Sequence, residues 1–262
     1  MTTDIGVPAT GYAPVHGLRM YYEIYGEGRP LLLLHGGLLT VQLCFGAILP
    51  ALATRHRVIA VELQGHGRTA DSEREMSIAN LAEDVVGLLD HLGIEQTDLY
   101  GFSLGGLTAL QAAMRHPERV RRLVAASMHF RPDGFYQEIR DPEAYPTSER
   151  MPTATDFNSM REEYQRVAPD PDHFEAFAAK TSNMVGAFTG WSDDELRAVA
   201  VPTLVMLGDT DFVRIEHAAE MFSLIPHAQL AVLPGATHMD LTRRADLVLP
   251  VVESFLGEGD PG

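Results

Sequence analysis

Three stretches far apart in the chain carry the residue types that activate a hydroxyl for attack on a carbonyl carbon. Ser103 lies within Tyr100, Gly101, Phe102, Ser103, Leu104, Gly105, Gly106, two carboxylates, Asp209 and Asp211, follow Val205, Met206, Leu207, Gly208, and His238 ends the run Pro234, Gly235, Ala236, Thr237. A serine hydroxyl is a weak nucleophile until a base takes its proton, and the base needs an acid to fix its tautomer and stabilise its cation. His238 is the candidate general acid and base, because it is the only histidine beyond the last strand-like run. Asp211 is preferred to Asp209 as its partner, since a carboxylate next to the strand end suits stabilising the turn through its own backbone. The other position where an acid could stand, after Val120–Ala126, holds Ser127, Met128 and His129, with no carboxylate until Asp133.

The GxSxG pattern alone is cheap, since chance supplies it in roughly one chain in ten of this size. Its context carries the reading. An apolar run ends near Tyr100 and a helix-compatible run begins at Leu104 and stops at Pro117, so Ser103 falls where a strand turns sharply into a helix. Glycines two residues either side let strand and helix pass closely. The tetrahedral intermediate needs two fixed donors for its oxyanion. The candidates are the N–H of Leu104, at the helix start, and that of Gly37, in the loop His35, Gly36, Gly37.

These parts need a scaffold. Continuous apolar runs at Leu31–Leu34, Val58–Val61, Thr97–Tyr100, Val120–Ala126, Thr203–Leu207 and Gln229–Leu233 read as strands buried on both faces, the mark of a parallel sheet. Val15–Tyr25 alternates around His16 and Gly17 as a hairpin of two edge strands. Between the runs, helical spacing predicts helices from Ser77 to Leu92, from Leu104 to His116 and from Ile215 to Leu224. The alternation predicts a doubly wound α/β sheet with functional loops at the carboxyl ends of its strands.

From Met128 to Arg197 the alternation breaks. Prolines 132, 142, 146, 152, 169 and 171 punctuate short helical pieces, yet half the aromatic residues lie between Phe130 and Trp191. A surface loop of that length should be polar, so the stretch reads as an inserted helical cap over the active edge. The chain then divides into core (1–127), cap (128–197) and core (198–262). His129, Phe130 and Trp191 are candidate substrate contacts, and aromatic content there points to an apolar, fairly bulky substrate.

The formal charge of −16 argues against nucleic-acid or anionic-membrane partners. The start, Met1 to Asp4, lacks a basic segment leading into an apolar core, and a cytoplasmic location is expected. One cysteine, Cys44, excludes an internal disulfide and a cysteine-cluster zinc site, and it reads as a small buried hydrophobe. No histidine or carboxylate pair has metal-ligand spacing, so neither metal nor other cofactor is expected. His35 and His66 read as loop-ordering residues.

Taken together, His35–Gly37, Gly65–Gly67, Gly101–Gly105, Asp211 and His238 resemble the α/β-hydrolase family, over nearly the whole chain from about Tyr12 to Leu256. The chain is most similar to the capped, esterase-like branch that also holds C–C bond hydrolases and cofactor-free haloperoxidases. The resemblance implies an eight-stranded, mostly parallel sheet with a lid after the sixth strand, and the triad Ser103, Asp211, His238. Two positions depart from the family pattern: Glu62 stands where aspartate is usual, and Thr237 where glycine is usual. The function this implies is hydrolysis of a small-molecule carboxylic ester or lactone, a macrolide-type lactone among the cases, through an acyl-enzyme on Ser103. Carbon–carbon bond cleavage or perhydrolysis with the same residues is the alternative, and a ligand receptor on the same scaffold is the reading from another class.

Overall fold

In the computed structural model, which describes residues 6–141 and 143–257, eight strands form one sheet in the order β1-β2-β4-β3-β5-β6-β7-β8. The leader through Ile5, Pro142 and the tail from Glu258, all included in the division of the chain above, lie outside the described residues. The strands are β1 (Ala9–Val15), β2 (Leu18–Tyr25), β3 (Arg29–Leu34), β4 (His56–Val61), β5 (Thr97–Phe102), β6 (Val120–Ala126), β7 (Thr203–Gly208) and β8 (Ala228–Leu233). From β4 to β8 every neighbouring pair is parallel, and β2 is antiparallel to both β1 and β4.

Alternation along each strand divides the core in two. Leu32 and Leu34 face the layer that contains the helices Ile78–His91, Leu104–Arg115 and Ile215–Leu224. Leu31 and Leu33 face the short helices Val41–Phe45 and Leu49–Leu52 and the helix Ala245–Gly257. Period-two pointing of side chains makes a run buried on both faces uniformly apolar. The chain leaves β3 toward one layer and β5 toward the other, so a cleft opens at the carboxyl ends of these two neighbours.

Ser77 caps the helix Ile78–His91 by accepting from the Asn80 N–H, as its sequence position predicts. The hairpin turns at His16 and Gly17, both with positive φ, which suits the two-residue connection. Two details of the sheet differ from expectation. Only β1 is an edge on that side, because β2 pairs with β4 as well. At the opposite margin, β8 is largely half-exposed: only Leu233 on it is buried, since a terminal strand has no neighbour to cover its outer side.

Between β6 and β7 the chain makes the helices Ala154–Val167 and Phe174–Ala187 with shorter turns around them. Thr153 and Asp156 form a reciprocal capping box at the start of the first. Tyr164, Phe174, Phe177 and Met184 from this segment belong to the same apolar cluster as Leu34 and Leu104, so the insertion shares the sheet's core. Among the described residues no helix is long and apolar enough to cross a membrane.

Candidate active site

Ser103 sits one residue past the end of β5 with φ 53° and ψ −114°. A positive φ in a non-glycine residue costs on the order of 1–3 kcal/mol and persists only where the surroundings enforce it. Here they do. The Ser103 N–H donates to the Ala126 carbonyl at 2.8 Å, and its own carbonyl accepts from the Leu107 N–H at 3.0 Å. A Cβ on Gly101 would lie 2.1 Å from the Gly105 carbonyl oxygen, and one on Gly105 would lie 1.9 Å from the Leu34 carbonyl oxygen. The corner closes only with glycine at both places.

Asp211 is fully buried, and its Oδ1 lies 3.0 Å from His238 Nδ1. Oδ2 accepts from the Ser127 hydroxyl at 2.5 Å, and the Val213 N–H donates to Oδ1 at 3.2 Å. Burial alone would push this carboxyl up, but the His238 charge and the hydrogen bonds from His238, Ser127 and Val213 outweigh it and hold the group below the usual carboxylate range. With Nδ1 donating to Asp211, Nε2 of His238 carries a lone pair. The imidazole is held between Phe212, centroids 3.9 Å apart, and Phe102, 4.7 Å away.

Asp209 does something else. Its N–H donates to the Leu233 carbonyl and its Oδ1 accepts from the Ala236 N–H, which ties the end of β7 to the turn that leads to His238. Ser127, no candidate from its residue type, stands where the alternative acid would be, and from there it supports Asp211 with a hydroxyl.

The loop after β3 is fixed by His35, whose Nε2 accepts from the Leu63 N–H at 3.1 Å while Nδ1 donates to the Gly36 carbonyl at 2.8 Å. Burial lowers this histidine to about 4, so it is a neutral strut. His66 likewise donates through Nδ1 to the Gln64 carbonyl. The two departures from the family pattern are absorbed locally. Glu62 takes the Arg68 N–H at 2.5 Å and its guanidinium at 2.8 Å, in the space that Gly67 leaves for the longer carboxylate. Thr237 and Asp240 cap each other around His238.

Ser103, His238, Gly37, Leu104 and His129 all line one cavity of about 450 Å³ between the sheet edge and the insertion. Phe130 and Trp191, expected as substrate contacts, do not line it. Phe130 is fully buried and stacked on His217, and Trp191 turns its Nε1–H to Gln111 on the helix behind Ser103. They anchor the insertion rather than its inner surface. Cavity walls come instead from residues such as Leu38, Phe135, Phe157, Met160 and Val185.

A serine at a strand-to-helix corner after β5, a buried aspartate after β7 and a histidine after β8 meet at one edge of a doubly wound sheet, the arrangement of a hydrolase class. The chain belongs to the alpha/beta hydrolase fold family, whose model matches residues 29–174. It is 32% identical to a 2-hydroxymuconate semialdehyde hydrolase of Pseudomonas putida, over 93% of this chain and 92% of that one. In structure it resembles the meta-cleavage product hydrolase CumD of Pseudomonas fluorescens IP01, with a TM-score of 0.78 and 24% identity over 97% of this chain and 98% of that one. It also resembles the enol-lactonase of Burkholderia xenovorans LB400, with a TM-score of 0.74 and 25% identity over 94% of this chain and all of the other.

Proposed function

We propose that the protein is a serine hydrolase of uncharged, largely apolar carboxylic esters or lactones. Ser103 Oγ attacks the carbonyl carbon as His238 Nε2 takes its proton, and Asp211, steadied by Ser127, holds the imidazole and offsets the cation that forms. The N–H groups of Gly37 and Leu104 receive the oxyanion; losing one such donor typically costs ~3 kcal/mol of barrier reduction. The leaving alkoxide departs with the proton from His238. Water then attacks the acyl-enzyme by the reverse path, with His238 as base.

The observation that carries the reading is the run of hydrogen bonds from Ser127 through Asp211 to His238, ending at the cavity that Ser103 also lines. The substrate class follows from the walls: among the described residues that line the cavity none is Lys or Arg, so nothing there offsets a substrate anion. The likeness to an enol-lactonase supports the lactone arm. Carbon–carbon bond hydrolysis is the second reading, favoured by the likeness to the semialdehyde hydrolase.

Purified protein is expected to hydrolyse 4-nitrophenyl butanoate and to be labelled irreversibly by a fluorophosphonate, with Ser103→Ala abolishing both. Wild-type protein that does neither would sink the reading. A vinylogous 1,5-diketone turned over faster than esters and lactones would move the assignment to carbon–carbon cleavage, and one slow turnover with retained product would point to a receptor.

A further inference from the structure

Most polar side chains buried at the cavity wall are already engaged within the protein. Ser127 and His238 both bond Asp211, and the Thr181 hydroxyl is turned to Met76 Sδ at 3.8 Å. His129 differs. It lines the cavity at 4% exposure, and neither ring nitrogen has a hydrogen-bond partner among the described residues. Its neighbours are aromatic, Phe135 with centroids 4.2 Å away and Phe188 at 5.7 Å. Its ring nitrogens are not sealed off in the interior but keep surface open to the cavity, where a ligand's polar group can reach them, and a hydrogen bond to a neutral partner there contributes about 0.5–1.5 kcal/mol.

The backbone holds this imidazole in place. The Phe130 N–H donates to His217 Nε2 at 3.1 Å, and the Phe130 carbonyl accepts from the Trp191 N–H at 2.9 Å. On the other side, Ser127 has φ 49° and donates its N–H to the Met206 carbonyl at 2.7 Å. Residues 127–130 are therefore pinned before any ligand arrives, which lowers the ordering cost of binding. Burial, with His217 nearby, lowers the His129 imidazole to about 3, so it is neutral near pH 7 and presents one donor and one acceptor. It is set apart from His238 by two rings of the cavity wall, Phe135, which it contacts, and Phe212, which lies 5.7 Å from Phe135 and stacks on His238.

We infer that His129 is a specificity-determining residue: it hydrogen-bonds an uncharged oxygen function, a ketone or hydroxyl, carried on the apolar substrate apart from the carbonyl that Ser103 attacks. The inference rests on the hydrolase reading and deepens it, from apolar esters to apolar esters or lactones with a second, neutral oxygen group. It also separates two kinds of polar residue at the wall, those that work on the ester carbonyl and one that reads the rest of the molecule.

The test compares 4-nitrophenyl hexanoate with its 4-oxo and 5-oxo analogues. Wild type is expected to prefer at least one oxo ester by about tenfold in kcat/KM, mostly through KM, the scale of one buried hydrogen bond. His129→Leu should bring that ratio near one, and His129→Gln should restore part of it. Because the ratio is internal to each protein, a change in folded fraction does not alter it. Equal rates on the three esters in wild type, or an unchanged ratio in His129→Leu, would overturn the inference while leaving the hydrolase reading intact. Hydrolysis of none of the three would instead strike the hydrolase reading. His129 is then judged by its imidazole 15N signals in Ser103→Ala protein, which should move with 2-octanone and not with octane; signals unmoved by saturating 2-octanone would overturn it.

Discussion

The corner at Ser103 and the insertion above it are built on opposite terms. At the corner, main chain meets main chain: the positions where Cβ atoms would stand on Gly101 and Gly105 are taken by carbonyl oxygens, and Ser103 is held at positive φ by hydrogen bonds to β6 and to its own helix. The insertion begins with a short main-chain bridge of Phe135 to Val213, but beyond it the helices Ala154–Val167 and Phe174–Ala187 rest on the core through side chains such as Phe174, Phe177 and Met184 and through ion pairs, Lys180 with Asp71 at 2.7 Å and Arg243 with Asp156. Side-chain contacts can be exchanged one at a time, and backbone interlocks cannot. In the proposed function, the reaction is thus set by elements that tolerate almost no change, and the choice of substrate by elements that tolerate a good deal.

The contrast can be attacked at its strongest point first. Gly105→Ala places a methyl group on the Leu34 carbonyl and is expected to cost more than about 4 kcal/mol, leaving little folded protein. Urea unfolding that shows a loss below about 1 kcal/mol would remove the claim of a backbone lock. Next come the two carboxylates. Asp211→Asn should lower kcat by about 10³- to 10⁴-fold, because the amide can fix the wrong tautomer of His238. Asp209→Asn, which keeps an oxygen for the Ala236 N–H, should cost less than tenfold. Equal losses in steady-state assays would undo the assignment of Asp211. The smallest effect belongs to the insertion. Gly186, within the helix Phe174–Ala187, has nothing within 4 Å of where its Cβ would stand, so Gly186→Ala should stabilise the protein by up to about 1 kcal/mol. A Gly186→Ala protein destabilised by about as much as Gly105→Ala would show that the insertion is locked as tightly as the corner.

Much of this is legible in the sequence alone. Parallel strands buried on both faces leave uniform apolar runs, and β3 to β7 are found where those runs lie. The corner at Ser103 was legible because glycine spacing reports backbone proximity directly. β8 misled because an apolar run does not record whether a strand has one neighbour or two. Ser127 escaped notice because its role depends on Asp211, 84 residues away, and a hydroxyl in place of a carboxylate carries no pattern. For Phe130 and Trp191, composition announced that the insertion is adhesive without telling which of its faces meets the sheet and which the cavity. Aromatic content counts contacts; orientation comes from packing.

Among the contacts between the insertion and the core, one reaches the main chain of Asp211 itself. Arg150, in the insertion, donates from Nη1 to the main-chain carbonyl of Asp211 at 2.8 Å, with its guanidinium 4.0 Å from the centre of the Tyr136 ring. The roof is therefore stitched to the loop that carries the acid. A chimera that grafts another relative's roof onto this sheet would inherit a new pocket and also lose a stitch beneath the machinery, so redesign of its substrate range has to carry Arg150 and Tyr136 along with the sheet.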